Sequence, residues 1–402
     1  FVADDLSGFG RRDRMHAEVR MARIVEAIGR YRAGAVSCVE AAELLGISER
    51  HFRRLRDRYE EDGPGGVIDR RRGRVSIRKA PQDRTDWLIE TYVMRYFDFT
   101  VKHFHEEISK RGFEYGYTWT KAVLQRAGLV KKALGRSAHR KKRPRRPLPG
   151  MMLFQDGSTH EWLVGQPSLD LIVTMDDATS EVYSMFLVEQ EGTASTFRGL
   201  AETIGKKGLF STFYTDRGSH YFLTPKAGEK VSKDSLTQVG RALSELGIEH
   251  IPSYSPEARG RMERLWGTLQ GRLPQVLRLE ETRTIEAANR FLAETYMADH
   301  NARFAVAAAE EGTAFVPFVG DLAGMLCSKH ARTVSNDNCV RFHSLNLQIP
   351  EQRHRRHYVR AAVEVRQYAD GDLAIFHGPR RLADYTADGA LITEEASRQS
   401  AA

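Results

Sequence analysis

The sequence has few cysteines. Three stand in 402 residues, Cys38, Cys327 and Cys339, an odd and scattered set. That excludes a disulfide framework and a cysteine-built zinc site, and it fits a reducing cytosol. Long apolar runs are also missing. No stretch approaches ~18 consecutive apolar residues, so no membrane-spanning helix is expected. The opening FVADDLSGFG lacks the basic-then-apolar pattern of a secretory signal, and it lacks an initiator Met, so the numbering is expected to begin inside a longer chain.

Charge is present in plenty but unevenly distributed. Residues 1–150 hold 34 Lys and Arg against 20 Asp and Glu, whereas the remainder holds 27 against 33. A basic front joined to a slightly acidic back half suggests a polyanion-binding part attached to something else. The length predicts two to four domains.

Residues 1–62 read as a helix-turn-helix domain. Apolar positions at helical spacing, Val19, Met21, Ile24, Val25 and Ile28, run to Gly34. Ser37 with Glu40 forms a capping box for a short helix that stops at Gly46, and Ser48 caps the next. Two short helices joined by a tight Gly turn make the motif. The second helix would be the recognition helix, offering Arg50, His51, Arg53, Arg54 and Arg58 to bases and phosphates. A helical bundle with a solvated basic face is the alternative.

Residues 63–81 form a Gly, Pro and Arg linker, in which Arg70, Arg71, Arg72 and Arg74 would follow a groove or stay solvated. Residues 82–130 predict three helices and a second helix-turn-helix domain, with Tyr117, Thr118, Thr120 and Lys121 opening its recognition helix. A second basic linker, 131–150, carries nine Lys and Arg; Arg140, Lys141, Lys142 and Arg143 are its candidates for phosphate contact.

From 151 the pattern changes to alternating strands and helices. Strands are expected at 151–156, 169–177, 181–189, 209–215 and 248–253. Helices are expected at 193–205, about 234–246, and one long run at 260–279. Three antiparallel strands followed by α/β units make the mixed sheet of a ribonuclease-H-like fold, here over 151–310. Residues 318–392 alternate apolar and polar positions between DG and HG turns, which suggests a small C-terminal β-barrel.

Three carboxylates fall at predicted element ends. MMLFQDGSTHEWL leads through a strand into Asp156, with a Gly-Ser turn expected after it. LFSTFYTDRGS leads into Asp216, and PEARGRMERLWGTLQGRL places Glu263 early in a helix. The spacings are 60 and 47 positions. Oxygen donors of this kind suit Mg²⁺. Two such ions roughly 3.5–4 Å apart can clamp the attacking and leaving oxygens of a phosphoryl transfer. Each acid alone could be an ordinary turn residue. Asp176 and Asp177, a rival pair, read as turn formers before ATS.

The order of the acids and the strings QDGSTHEWL, YTDRGSHY and SPEARGRMERLWGTLQ resemble the DDE transposases of the retroviral-integrase superfamily, and within them the bacterial insertion-sequence ISNCY group. HNARFAV and RTVSNDNCVRFHSLNLQIP extend the resemblance over most of the chain, while Arg217 and the insert FLTPKAGEKVSKDS depart from retroviral enzymes. The resemblance implies Asp156, Asp216 and Glu263 as a metal-binding catalytic triad using two Mg²⁺ ions, with Mn²⁺ expected to substitute. It further implies DNA as partner, both the element's terminal repeats and a target, self-association into a dimer or higher oligomer on DNA, no membrane, and a bacterial cytoplasmic location on the nucleoid. Arg217, Arg259 and Arg261 are candidates to hold phosphates or are helix-end surface charges. Two other classes stay open: a DNA-binding regulator on a non-catalytic scaffold, and a metal-dependent nuclease that cuts without joining.

Overall fold

The computed structural model describes residues 11–68, 80–131, 143–223, 236–254, 260–352 and 354–392, with side chains from residue 18 onward in the first helix. The chain divides into two compact units, 1–87 and 88–402.

In the first unit, α1 (Arg11–Arg32), α2 (Cys38–Leu45) and α3 (Glu49–Asp62) enclose Ile24, Ile28, Ala41, Phe52 and Leu55. The expected caps are present. The Ser37 side chain accepts from Glu40 N while Glu40 Oε2 accepts from Ser37 N, at 3.2 and 2.7 Å. Gly46 ends α2 in the left-handed conformation that glycine adopts without steric cost, φ 63°. Ser48 caps α3 by accepting from His51 N.

Next in the chain come three helices, α4 (Gln82–Arg95), within which the boundary at residue 87 falls, α5 (Val101–Lys110) and α6 (Tyr117–Arg126). Their core, Leu88, Tyr92, Tyr96, Phe104, Ile108 and Leu124, also takes in Leu279 from beyond the central sheet. The aromatic residues Tyr92, Tyr96 and Phe104 are therefore core. Arg272 bridges to Glu106 at 2.6 Å and Arg278 to Asp98 at 2.7 Å, which ties the three helices to the region that follows.

That region is a five-stranded mixed sheet. Its strands are β1 (Leu153–His160), β2 (Leu169–Asp176), β3 (Val182–Val188), β4 (Thr212–Thr215) and β5 (Glu249–Pro252), in the order β3-β2-β1-β4-β5. β1 to β3 are antiparallel, and β4 and β5 run parallel to β1. One face packs α7 (Thr193–Lys207) and α8 (Gln238–Glu245) on Leu153, Tyr183 and Phe213. The other packs α9 (Gly260–Gln270), α10 (Leu273–Leu279) and α11 (Ile285–Phe291) on Phe154, Val173 and Leu187. The single helix expected over 260–279 is two, because the chain turns at Gly271 and Arg272 before Pro274 opens α10.

The outer edge of β3 is covered in an unusual manner. The Asn289 amide exchanges both hydrogen bonds with the backbone of Leu187. Asn301, in α12 (Met297–Phe304), does the same with Val182. Two side chains thus stand in for a missing neighbour strand and blunt an edge that would otherwise pair with other chains. This is the structural use of Asn301 in HNARFAV.

After the short α13 (Leu322–Met325) come β6 (Ser328–Thr333), β7 (Cys339–Phe342), β8 (Leu345–Gln348), β9 (Ala362–Gln367), β10 (Leu373–His377), β11 (Arg380–Tyr385) and β12 (Leu391–Ile392). The expected barrel does not close among the described residues. The strands form an open sheet, β12-β11-β10-β9-β6, and a separate β7–β8 hairpin. The end strands β6 and β12 each pair on one side only, and the hairpin instead lays Val340, Phe342 and Leu347 over Val365 and Ile375. Among the described residues no helix is long and apolar enough to cross a membrane.

Candidate active site

β1 is the central strand and β4 its parallel neighbour, and their register is Leu153↔Phe213 and Phe154↔Tyr214. Asp156 and Asp216 have the same 60-residue offset, so they stand level where the strands leave their pairing. Alternation along β1 sends Phe154, Asp156 and Ser158 to the α9 side and Leu153, Gln155 and Gly157 to the other. Hydrogen bonds agree: Trp266 Nε1 donates to Asp156 Oδ2 at 3.0 Å, and Gln270 Nε2 to Ser158 Oγ at 3.1 Å. Glu263, Trp266 and Gln270 are three and four residues apart and share that helix face. Glu263 is exposed, in the first turn of α9. Asp216 follows β4, and its Oδ1 accepts from Gly218 N at 2.8 Å.

One local expectation is corrected. Asp156 is not followed by a turn; β1 continues to His160, with Gly157 paired to Ile172 and Ser158 to Leu171. A Cβ at Gly157 would come within 2.4 Å of Glu191 Oε2, so the glycine leaves room for that carboxylate beside the strand.

The donor set is purely carboxylate, the chemistry of a hard divalent cation rather than of zinc. Among the described residues, however, no group of three or more His, Cys, Asp or Glu side chains is drawn close enough to hold an ion. The two aspartates are placed by the sheet, and Glu263 by a helix whose preceding residues, 255–259, lie outside the described residues.

On the opposite side of β1 lies a buried polar cluster whose role the sequence did not reveal. The Tyr221 hydroxyl reaches Gln155 Oε1 and Glu191 Oε1, both at 3.2 Å, and Glu191 lies 3.6 Å from His220 Nε2. Burial, reinforced by Glu191, raises the Tyr221 hydroxyl well above the usual tyrosine value. His220 and Tyr221 close the string YTDRGSHY, which was the only available signal.

The arginines expected at phosphates separate into different places. Arg217 is exposed beside Asp216, 5.1 Å from the Tyr254 ring. Arg261 is instead buried, ion-paired with Asp177, and its Nη2 donates to Arg143 O at 2.8 Å. Burial pulls its guanidinium below the usual arginine value while Asp177 acts in the other direction. Arg143 pairs with the same Asp177. Asp176 and Asp177 do lead into a turn, as expected, but both are fully buried. Asp176 accepts from Gly150 N and Thr179 N, and burial raises its carboxyl above the usual range. Arg259 lies outside the described residues.

On α3, Arg50, Arg53 and Arg54 are exposed, with Arg53 paired to Glu49; His51 and Arg58 are half-buried. On α6, Tyr117 and Thr118 are exposed and Lys121 is half-buried. Thr120 is corrected from the surface to the core: it is fully buried, 3.2 Å from His105 Nδ1. Arg70, Arg71, Arg72, Arg74, Arg140, Lys141 and Lys142 lie outside the described residues.

A helix-turn-helix domain family matches residues 25–74. The putative transposase y4bF of Sinorhizobium fredii is 30% identical over 360 residues, covering 87% of this chain and 77% of that protein. The transposase for insertion sequence IS1202 of Streptococcus pneumoniae is 25% identical over 306 residues, covering 67% of this chain and 64% of that protein. Among solved structures, the HTLV-2 integrase catalytic core domain in complex with magnesium aligns at 18% identity and a TM-score of 0.27, over 36% of this chain and 85% of that one. The simian T-cell lymphotropic virus intasome in complex with a PP2A regulatory subunit aligns at 16% identity and a TM-score of 0.32, over 65% and 84%.

Proposed function

This chain belongs to the transposase family of these relatives, and from that premise we propose that it cleaves the ends of an insertion sequence and joins them to target DNA. The observation that carries the reading is the level pair Asp156, on the central strand β1, and Asp216, at the end of the adjacent β4, with Glu263 on the helix that packs over β1. The helix-turn-helix unit supports binding to the element's terminal repeats through α3, with Arg50, Arg53 and Arg54 facing solvent.

Asp156, Asp216 and Glu263 would hold two divalent ions, Mg²⁺ or Mn²⁺, which when bound supply activation of water and neutralisation of developing negative charge. The chain's own groups set the geometry. Trp266 fixes the rotamer of Asp156, and Gly218 N fixes that of Asp216. Arg217, exposed next to Asp216, would hold a phosphate oxygen. Water attacks the phosphodiester at the element end; one P–O bond forms as another breaks, and a 3′-OH leaves. That 3′-OH then attacks a target phosphodiester with the same balance, and no covalent enzyme intermediate is needed. Positioning and charge stabilisation carry the rate. Bringing two element ends together calls for a dimer or higher oligomer on DNA.

A gel assay with a labelled duplex of the DNA flanking the protein's own reading frame, Mg²⁺ and a target plasmid tests the reading. Joined products are expected. Cutting without joining would indicate a nuclease, and binding alone a regulator on the same scaffold.

A further inference from the structure

Gln155 and Gly157, the neighbours of Asp156 in β1, face away from α9. Both meet polar groups there, and glycines make the room. Gln155 is buried, its Nε2 donating to Thr174 Oγ1 at 2.9 Å, and a Cβ at Gly199 of α7 would come within 2.1 Å of that Nε2. Glu191 fills the room that Gly157 leaves. The Tyr221 hydroxyl lies 3.2 Å from both Gln155 Oε1 and Glu191 Oε1 and so joins the two. The Glu191 backbone is held as well: its N–H donates to Asp170 Oδ2 at 2.7 Å, and Asp170 Oδ1 accepts from Thr159 of β1. Among the described residues the only basic side chain within ion-pairing distance of Glu191 is His220, at 3.6 Å, and the buried His220 Nε2 makes no hydrogen bond.

His220 and Tyr221 end the loop that Asp216 begins. The loop folds on itself, with Gly218 N donating to Asp216 Oδ1 at 2.8 Å and Tyr221 N to Gly218 O at 2.9 Å. A Cβ at Gly218 would meet both Asp216 Oδ1, at 3.0 Å, and the His220 ring, at 3.1 Å. The register of β1 with β4 runs only to Phe154↔Tyr214, two residues short of both acids. Strand pairing therefore does not reach Asp156 and Asp216, and the contacts of Tyr221 with Gln155 and Glu191 take its place. We propose that Glu191 is a positioning residue that seats the loop 216–221 on β1 and so sets the separation of Asp216 from Asp156. The proposal rests on the catalytic reading of those two acids above. Two carboxylates that share divalent ions repel each other until the ions arrive. A loop that is not tied down lets Asp216 retreat, and the apparent affinity for the ion falls with the fraction of molecules in which the loop is seated.

The test uses the full chain and the labelled flanking duplex. Glu191 is about a quarter exposed, and Glu191→Ala orphans no buried group, because the Tyr221 hydroxyl keeps Gln155. The variant should keep its melting temperature and its duplex affinity. The Mg²⁺ concentration for half-maximal cleavage should rise about tenfold, the effect of a loop seated in roughly one molecule in ten, and saturating Mg²⁺ should restore the rate. Glu191→Gln retains an oxygen for Tyr221 and should behave as the unaltered protein does. Hydrogen exchange, with neither metal nor DNA present, gives a readout that needs no chemistry: the amides of Gly218, Tyr221 and Phe222 should exchange faster in Glu191→Ala. The proposal is overturned by an unchanged Mg²⁺ requirement, by a rate that extra Mg²⁺ fails to restore, by loop amides that exchange as before, or by Glu191→Gln failing as badly as Glu191→Ala. Asp156→Asn separates the two claims. Normal cleavage by that variant ends the catalytic reading and the proposal with it. Lost cleavage by Asp156→Asn beside an unaltered Mg²⁺ requirement in Glu191→Ala leaves the reading standing and removes Glu191 from it.

Discussion

The indole N–H of Trp266 donates to Oδ2 of Asp156 at 3.0 Å, so a residue one turn beyond Glu263 holds the first acid of the central strand. A hydrogen bond to a charged group contributes about 1.5–3 kcal/mol. Trp266→Phe keeps an aromatic ring, smaller than the indole, and removes the donor. Cleavage should slow by about tenfold or more, since ~1.4 kcal/mol is a factor of ten in rate, while duplex affinity stays constant. Unaltered single-turnover cleavage by Trp266→Phe would show that Asp156 needs no such support.

Removing any carboxylate of the set should have a larger effect. Asp156→Asn, Asp216→Asn and Glu263→Gln keep side-chain volume and hydrogen-bonding capacity but lose the charge on which a divalent ion depends. Each is expected to abolish both cleavage and joining and to leave DNA binding nearly intact. A variant that completes strand transfer normally in Mg²⁺ removes its residue from the site.

The sheet and its acids were legible from sequence for a physical reason. Strands buried on both faces, such as Leu169–Asp176 and Val182–Val188, read as nearly continuous apolar runs, and their ends follow from turn residues. The extension of β1 past Asp156 was not legible, because QDGSTH carries a turn signature that pairing with β2 overrides. The fates of Arg143 and Arg261 were equally hidden. An arginine in a basic string looks solvated until the fold brings a distant Asp177 to it, 34 and 84 residues away. Thr120 at the opening of a helix looked exposed because its burial is set by α5, through His105, rather than by its own helix. The open sheet of the described C-terminal strands was hidden for a similar reason, since alternation fixes faces but not which strand ends meet.

Three buried histidines predict an acid-side loss of stability. Burial lowers His103 to about 4, His250 to about 3 and His300 to about 4, with the neighbouring Arg272 acting second on His103 and His300, and His220 on His250. In the unfolded chain each returns to ~6.5. Above that value all three are neutral in both states and stability is flat in this respect. As pH falls below it the unfolded chain takes up protons that the fold refuses, so stability drops until the folded values near 4 are reached. Each site contributes at most ~1.4 kcal/mol per pH unit, so about 4 kcal/mol per unit for the three together. Denaturant midpoints at pH 7, 6 and 5 measure this, and His250→Gln or His300→Gln should flatten the slope by about a third. Equal midpoints at pH 7 and pH 5 contradict neutral burial.

The two helical groups of the front half should divide one DNA site, and the structure sharpens which residues can show it. Arg50, Arg53 and Arg54 are exposed on α3, so replacing all three with Ala should clear one block of a footprint on the flanking duplex. Thr118 is exposed and Lys121 half-exposed on α6, so replacing those two should clear a second block. Thr120→Val belongs to a different class: with its hydroxyl buried against His105, it should lower the melting temperature and leave both blocks in place at temperatures where the protein is folded. Salt dependence separates base reading from backbone tracking. If the front half neutralises ~8 phosphates, log K should fall with log salt at a slope of about −7. The α3 substitutions should then reduce that slope by no more than the cations removed, while losing a whole block of protection. A recognition-helix variant that leaves the entire footprint unchanged means its helix serves packing or assembly, and the two-part site is wrong.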